Sequence, residues 1–137
     1  MNSKEADPES NGNHPDIRGV IEQQLYLLLR NKLSGAEIRY EPYEFEHTTE
    51  DGKTEKTIPD FYIRKPNGAV TIIEVTAALW SPANDPKEKQ KRIMREAAPN
   101  TKYVVLYRHN LTSIQSKHPE ISFFGSRKID PDELTTK

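Results

Sequence analysis

The architecture of this protein is set by the stretch IPDFYIRKPNGAVTIIEVT, from Ile58 to Thr76. Its two apolar halves are rich in aromatic and β-branched residues, which favours strands over Thr57 to Ile63 and Ala69 to Thr76. Between them lies Lys65-Pro66-Asn67-Gly68, whose proline presets a turn and whose Asn-Gly pair tolerates positive φ. The stretch therefore predicts an antiparallel hairpin.

An acidic residue stands near each outer end of this hairpin. Because the beginning of one antiparallel strand lies beside the end of its partner, we expect Asp60 to neighbour Glu74. Alternation places Glu74 and Thr76 on one face, while Val75 points into an apolar layer and offers its backbone carbonyl at the same edge. Such oxygen ligands suit magnesium or manganese, and an ion of this kind can polarise a phosphate and generate hydroxide. Asp60, Glu74 and Val75 are thus candidate metal ligands.

Upstream of the hairpin, the sequence predicts a helix and a further strand. Apolar residues recur at helical spacing from Ile17 to Leu33, after Asp16 as an N-cap and before a Ser-Gly stop. The segment from Ile38 to His47 reads as one strand bent near Pro42. Residues 1–14 contain almost no apolar side chains and are expected to form a flexible tail.

Downstream of the hairpin, the sequence predicts a crossover helix and a buried strand. The helix should begin at Asp85-Pro86-Lys87-Glu88, with Asp85 as its cap, and end at Ala98. The apolar run Tyr103 to Tyr107 should then form a strand parallel to the third, through a right-handed connection. Leu111 to Lys117 is predicted as a helical turn and Ile121 to Phe124 as an edge strand.

These elements predict an α/β fold with a mixed four- to five-stranded sheet flanked by helices, in the order αβββαβ. A chain of 137 residues suits one domain with one modest core. We expect that domain to span residues 15–126, with a flexible tail over 127–137.

The hairpin also resembles a known signature. Its Pro59-Asp60 and its Glu74-Val75-Thr76 resemble the PD-x(n)-(D/E)xK motif of restriction-endonuclease-like nucleases, a superfamily that includes transposon-end endonucleases and junction resolvases. The resemblance extends from Asp16 to Tyr107, and the predicted order of elements resembles the common core of that family. It implies that Asp60 and Glu74 bind a catalytic Mg²⁺ or Mn²⁺ and that the substrate is DNA.

One position departs from the family pattern, because Thr76 stands where the motif has a lysine that positions water and stabilises charge on the phosphate. Either a lysine from elsewhere fills that space, or the site is weak or dead. The crossover helix begins close to the carboxylates and offers Lys91 or Lys87 as the displaced cation. Gln90 lies within the buried stripe that Ile93, Met94 and Ala97 define, and it is a candidate for orienting the phosphate.

Further candidates lie outside the motif. Glu22 in the first helix resembles an additional acidic metal ligand of many relatives, and Lys56 lies just before the second strand. The run from Lys87 through Lys91 to Arg95 either contacts nucleic acid or is a solvated helix face, and the latter is the commoner case. Trp80 either packs in the core, which its size favours, or stacks on a base.

The composition restricts the class of protein. With 20 basic and 21 acidic side chains and a pI near 6.4, the chain lacks a global positive field, so any contact with nucleic acid is local. The absence of cysteine excludes disulfides, thiolate zinc sites and cysteine nucleophiles, and suits a reducing cytoplasm. No apolar run approaches the ~20 residues of a membrane span. We expect a cytoplasmic protein without a membrane partner.

Three functions compete at this point. The first is a magnesium-dependent endodeoxyribonuclease that hydrolyses phosphodiester bonds. The second keeps the fold but not the chemistry, as a degenerate DNA-binding or assembly subunit, and the third is an interaction module with coincidental carboxylates. So small a domain has little surface for reading sequence, which is compatible with a homodimer or a larger nucleoprotein complex.

Overall fold

The computed structural model describes residues 3–5 and 17–124, which form a mixed α/β fold. Its helices are α1 (Val20–Lys32), α2 (Glu88–Ala97) and α3 (Arg108–Lys117). Its strands are β1 (Ser3–Glu5), β2 (Glu37–Tyr40), β3 (Tyr43–Thr48), β4 (Thr54–Thr57), β5 (Phe61–Arg64), β6 (Val70–Val75) and β7 (Lys102–Leu106). Within the described ranges, no helix is long and apolar enough to cross a membrane.

The main sheet has four strands in the order β2-β5-β6-β7. Strands β5 and β6 form the predicted antiparallel hairpin, closed by a turn in which the Lys65 amide donates to the Ala69 carbonyl at 2.9 Å. Gly68 adopts φ +90° in that turn. Strand β7 lies parallel to β6, and α2 connects the two, so the predicted parallel pairing across a helix is also confirmed.

Alternate residues of β6 face two different apolar clusters. Ile73 and Val75 belong to the larger cluster, which α1 and α3 cover together with β2 and β5. Ile72 belongs to the smaller cluster, where it packs with Ile93 and Met94 of α2. Because side chains alternate along a strand, Glu74 is on the α2 side of the sheet with Ile72.

Two predicted strands are each broken at a proline. The predicted strand from Ile38 to His47 is two strands, β2 and β3, which belong to different sheets. The chain turns between them at Glu41-Pro42, where Glu41 has φ +48°. The predicted strand from Thr57 to Ile63 is likewise split, since β4 ends before Pro59 and β5 begins after it. A proline cannot donate to a ladder, so the chain leaves one sheet for the other at these points.

The second sheet has the order β1-β3-β4. Strand β1 falls within the predicted tail of residues 1–14 and pairs antiparallel with β3, Lys4 lying opposite Glu44. The rest of that tail, the predicted N-cap Asp16 and the predicted tail of residues 127–137 lie outside the described residues.

Both predicted helix starts are displaced. Helix α1 begins at Val20, with Gly19 at its N-cap. Helix α2 begins at Glu88, so the prediction of Asp85 as its N-cap is wrong. The Asp85 carboxylate instead accepts the Lys87 amide at 2.9 Å, in a turn that precedes the helix.

The predicted edge strand from Ile121 to Phe124 is also wrong, since this segment is not a strand and pairs with none among residues 3–5 and 17–124. Ile121 and Phe123 are buried in the larger cluster. The amides of Ser122 and Phe123 donate to the side chains of Gln24 and Gln115, at 3.1 and 2.7 Å. Side-chain acceptors thus replace the ladder that a strand would have needed.

Candidate functional site

Asp60 and Glu74 face each other at the end of the β5–β6 hairpin. The strand register pairs Phe61 with Ile73, so the next position outward sets Asp60 opposite Glu74, on the same face of the sheet. Their residues are 8% and 5% exposed. The Val75 amide donates to Asp60 Oδ2 at 2.8 Å, which fixes the carboxylate against β6. The strand geometry therefore holds two carboxylates together where water is largely excluded.

This arrangement changes the proton affinity of both groups. Burial, followed by the charge of Glu74, raises the pKa of Asp60 to about 8. Burial also raises the pKa of Glu74, although the hydrogen bond from Lys87 acts in the opposite direction. Two like charges that share a desolvated site cannot both ionise without a compensating cation. The pair therefore binds either a proton or another cation at neutral pH.

Lys87 supplies the nearest such cation. Its Nζ lies 2.8 Å from Glu74 Oε2, and its side chain is only 19% exposed. The other predicted lysine, Lys91, is not brought to the carboxylates: its Nζ lies 2.8 Å from Asp85 Oδ2 and 5.1 Å from the centre of the Tyr107 ring. Of the two, only Lys87 contacts the acidic pair through its side chain.

Three buried side-chain oxygens have no hydrogen-bond partner among the described residues, one of them in the acidic pair itself. They are Glu74 Oε1, Gln90 Oε1 and the Tyr103 hydroxyl. Tyr103 lies on β7 beside β6, and its pKa is raised by burial and further by the charges of Glu74 and Asp60. An unpaired buried polar atom costs about 1–3 kcal/mol. The unpaired oxygen of Glu74, beside a second carboxylate, fits an oxygen ligand set for a divalent cation.

Glu22 also acts on this site from α1. Its charge contributes to the raised pKa of Asp60 and to that of Tyr40. Its side chain folds over the first turn of the helix, because a Cβ added at Gly19 would lie 2.0 Å from Glu22 Oε1. A side chain at position 19 would therefore displace this carboxylate, so the glycine leaves the space that Glu22 occupies.

Glu41 is an acidic residue at the site that the sequence did not single out. Its amide donates to the Asp60 carbonyl at 2.8 Å, and its charge contributes to the raised pKa of Glu74. Its carboxylate lies 2.7 Å from the Arg18 guanidinium. The one local signal was its place before Pro42, since a residue before proline is restricted and often lies at a turn. Its proximity to Asp60 results from the pairing of β2 with β5, which is a tertiary contact.

The remaining predicted residues are placed elsewhere or have other partners. Lys56 lies on β4 in the second sheet, 4.0 Å from Glu46. Arg95 is exposed on α2. The Thr76 hydroxyl accepts the Ala78 amide at 3.1 Å, and the Thr76 amide donates to the Leu106 carbonyl at 2.9 Å. Thr76 thus stabilises the turn after β6 at the position where the motif has its lysine.

Among residues 3–5 and 17–124, no group of three or more His, Cys, Asp or Glu side chains is arranged to hold a metal ion. In comparisons with known proteins, no family model matches the chain and no curated protein matches it.

Proposed function

We propose that this protein is a metal-dependent endodeoxyribonuclease with a restriction-endonuclease-like core. The observation that carries the proposal is the buried pair Asp60 and Glu74, opposite each other in one hairpin, with Lys87 Nζ 2.8 Å from Glu74. The order of elements around the main sheet supports it as well. Helix α1 is followed by β2, β5, β6, α2 and β7, which matches the order αβββαβ.

Asp60 and Glu74 would hold Mg²⁺ or Mn²⁺, with Glu22 and the Val75 carbonyl as further ligands. A bound ion supplies a Lewis acid for the scissile phosphate and lowers the pKa of a bound water. Lys87 takes the role of the motif lysine from a position just before α2, where its ammonium group stabilises charge on the phosphate. Gln90 on α2 and Tyr103 on β7 each have a buried oxygen without a hydrogen-bond partner among the described residues, and these oxygens are suited to orienting water or phosphate.

The test compares DNA cleavage by the wild type, Asp60→Asn and Glu74→Gln. Supercoiled, branched and single-stranded DNA are incubated with magnesium or manganese, and with EDTA as a blank. We expect wild-type cleavage to need the metal and each variant to lose about 100-fold or more. Glu46→Gln is the matched control, since it removes a carboxylate from β3, outside the site. A wild type that cleaves no faster than the two variants would overturn the proposal.

An alternative is a catalytically degenerate DNA-binding or assembly subunit. One observation favours it: the motif position is Thr76, which carries no charge and whose hydroxyl accepts the Ala78 amide in a turn. Calorimetric titration with manganese, run beside the cleavage assay, separates the two functions. The nuclease is supported if the wild type binds manganese and cleaves DNA, and if Asp60→Asn abolishes the manganese binding. The alternative is supported if the wild type binds DNA but neither binds manganese nor cleaves.

A further inference from the structure

Two adjacent large apolar side chains are exposed in the loop between β6 and α2. Leu79 is 67% exposed and Trp80 is 43% exposed. The sequence favoured core packing for Trp80, and that prediction is wrong. Removing apolar area from water lowers the free energy. Two adjacent exposed apolar side chains therefore indicate a surface that a bound molecule covers.

The loop around these residues is held in place by hydrogen bonds. Ser81 and Asn84 exchange backbone bonds at 3.2 and 3.1 Å, directly after Trp80. Before it, the Ala78 carbonyl accepts the Arg108 amide at 3.1 Å, which ties the loop to the start of α3. The indole is therefore presented by a structured turn.

Both ends of this loop reach the candidate site. The loop follows Glu74 and Val75 at the end of β6, and it ends at Lys87, whose Nζ contacts Glu74. Trp80 is six residues from Glu74, and a chain extends by at most ~3.6 Å per residue, so their Cα atoms are within roughly 20 Å. Trp80 therefore lies within reach of a nucleic-acid strand bound at the carboxylates, since one strand can extend over such a span.

The charges of α2 suggest what the indole binds. Lys87, Lys91 and Arg92 each form an ion pair within the protein, with Glu74, Asp85 and Glu55. With a net charge of −1, the chain has no general attraction for phosphates. Stacking of a base on an aromatic ring contributes about 1–3 kcal/mol and does not depend on sequence. An exposed indole could supply the affinity that these charges do not.

We propose that Trp80, flanked by the apolar Leu79, forms a stacking platform for an unpaired base of the strand bound at the carboxylates, so that the substrate is single-stranded or branched DNA. This inference rests on the proposed nuclease function. Bases within a duplex are already stacked, and exposing one face costs a few kcal/mol. A base that is already unpaired avoids that cost.

Trp80 is the sole tryptophan, so its fluorescence reports directly on the platform. The full chain is titrated with single-stranded and duplex oligonucleotides of equal length, as wild type in EDTA and as Asp60→Asn in magnesium. We expect saturable quenching by the single strand and a much weaker response to the duplex. Anisotropy of a labelled single strand should show that Trp80→Ala weakens binding about 5- to 150-fold, while Trp80→Phe retains part of the affinity.

Leu27→Ala is the matched control, because Leu27 is 45% exposed on α1. It should bind the single strand as the wild type does. Thermal melting checks that each variant is folded. Absence of quenching in both conditions, equal quenching by duplex, or unchanged binding by Trp80→Ala would each overturn the platform. Partner capture that depends on Leu79 and Trp80, without a response to DNA, would identify a protein-docking surface and also overturn it.

The proposed function can fail separately. Quenching by single-stranded DNA without any metal-dependent cleavage would support the platform and reject the nuclease. Cleavage of DNA at the wild-type rate by Trp80→Ala, with unchanged affinity, would support the nuclease and reject the platform.

Discussion

Burial raises the pKa of the Asp60 carboxyl from its usual 3.8 to about 8, and the charge of Glu74 adds to the effect. Between these two pH values the folded protein holds a proton that the unfolded chain has released. The free energy of unfolding therefore falls as pH rises through this window. Asp60 thus lowers the stability of the fold under the conditions in which its ionised form would bind a cation.

Replacing Asp60 by asparagine should remove this dependence. We expect Asp60→Asn to unfold at higher urea than the wild type at pH 8, with a gain of about 1–3 kcal/mol, and to differ little at pH 4. The asparagine oxygen can still accept the Val75 amide, so the hairpin should be preserved. Glu46→Gln serves as the control. If the difference in the free energy of unfolding between wild type and Asp60→Asn is the same at pH 4 and pH 8, the raised pKa is contradicted.

Lys87 and Lys91 allow a matched comparison, since both form ion pairs near the start of α2 but only Lys87 contacts Glu74. We expect Lys87→Met to lower cleavage by about 100-fold or more while manganese binding persists at pH 9. Lys91→Met should cleave within a few fold of the wild-type rate, because the contact that it loses is with Asp85 and not with Asp60 or Glu74. Cleavage rates and calorimetry give the two readouts. Equal losses of cleavage in the two variants would refute a specific role for Lys87.

At the scale of elements, the sequence predicted what local chemistry determines. Pro66, Asn67 and Gly68 predicted the turn of the hairpin, and the antiparallel pairing of its strands then placed Asp60 beside Glu74. The sequence did not reveal that Pro42 and Pro59 divide two apparent strands between two sheets. That outcome depends on which strands pair, and pairing is a tertiary property that a local pattern does not contain. Glu41 and Tyr103 were missed for the same reason.

The hairpin turn itself can be tested at Gly68, which has φ +90° and no heavy atom within 4 Å of an added Cβ. Gly68→Ala meets no clash, so its cost is purely conformational. We expect a loss of about 1 kcal/mol in urea unfolding, with Gly68→Asn losing less, because asparagine tolerates the left-handed region better. Gly52→Ala, at φ +88° in the β3–β4 turn, should lose a similar amount. An alanine variant as stable as the wild type would show that the turn adapts.

On the scale of the whole molecule, α2 connects the two sheets. Ile93 and Met94 pack with Ile72 of the main sheet and with Phe45 of the second sheet. Arg92 of the same helix donates two hydrogen bonds, at 2.9 and 3.1 Å, to the buried Glu55 carboxylate on β4. The hydrogen bond from Arg92 lowers the pKa of Glu55. The placement of α2, and hence of Lys87, therefore depends on contacts with both sheets.

Arg92→Met should weaken this connection, because it leaves the Glu55 carboxylate buried without its partner. We expect lower stability in urea and faster amide exchange in β4 and α2, together with slower cleavage, since the start of α2 is held less firmly against Glu74. Adding Glu55→Gln removes the unpaired charge and should restore part of the stability. Arg95→Met, an exposed position three residues further along α2, should change neither the stability nor the amide exchange. If Arg92→Met and Arg95→Met prove equally stable, the second sheet contributes nothing to the position of α2 through this pair.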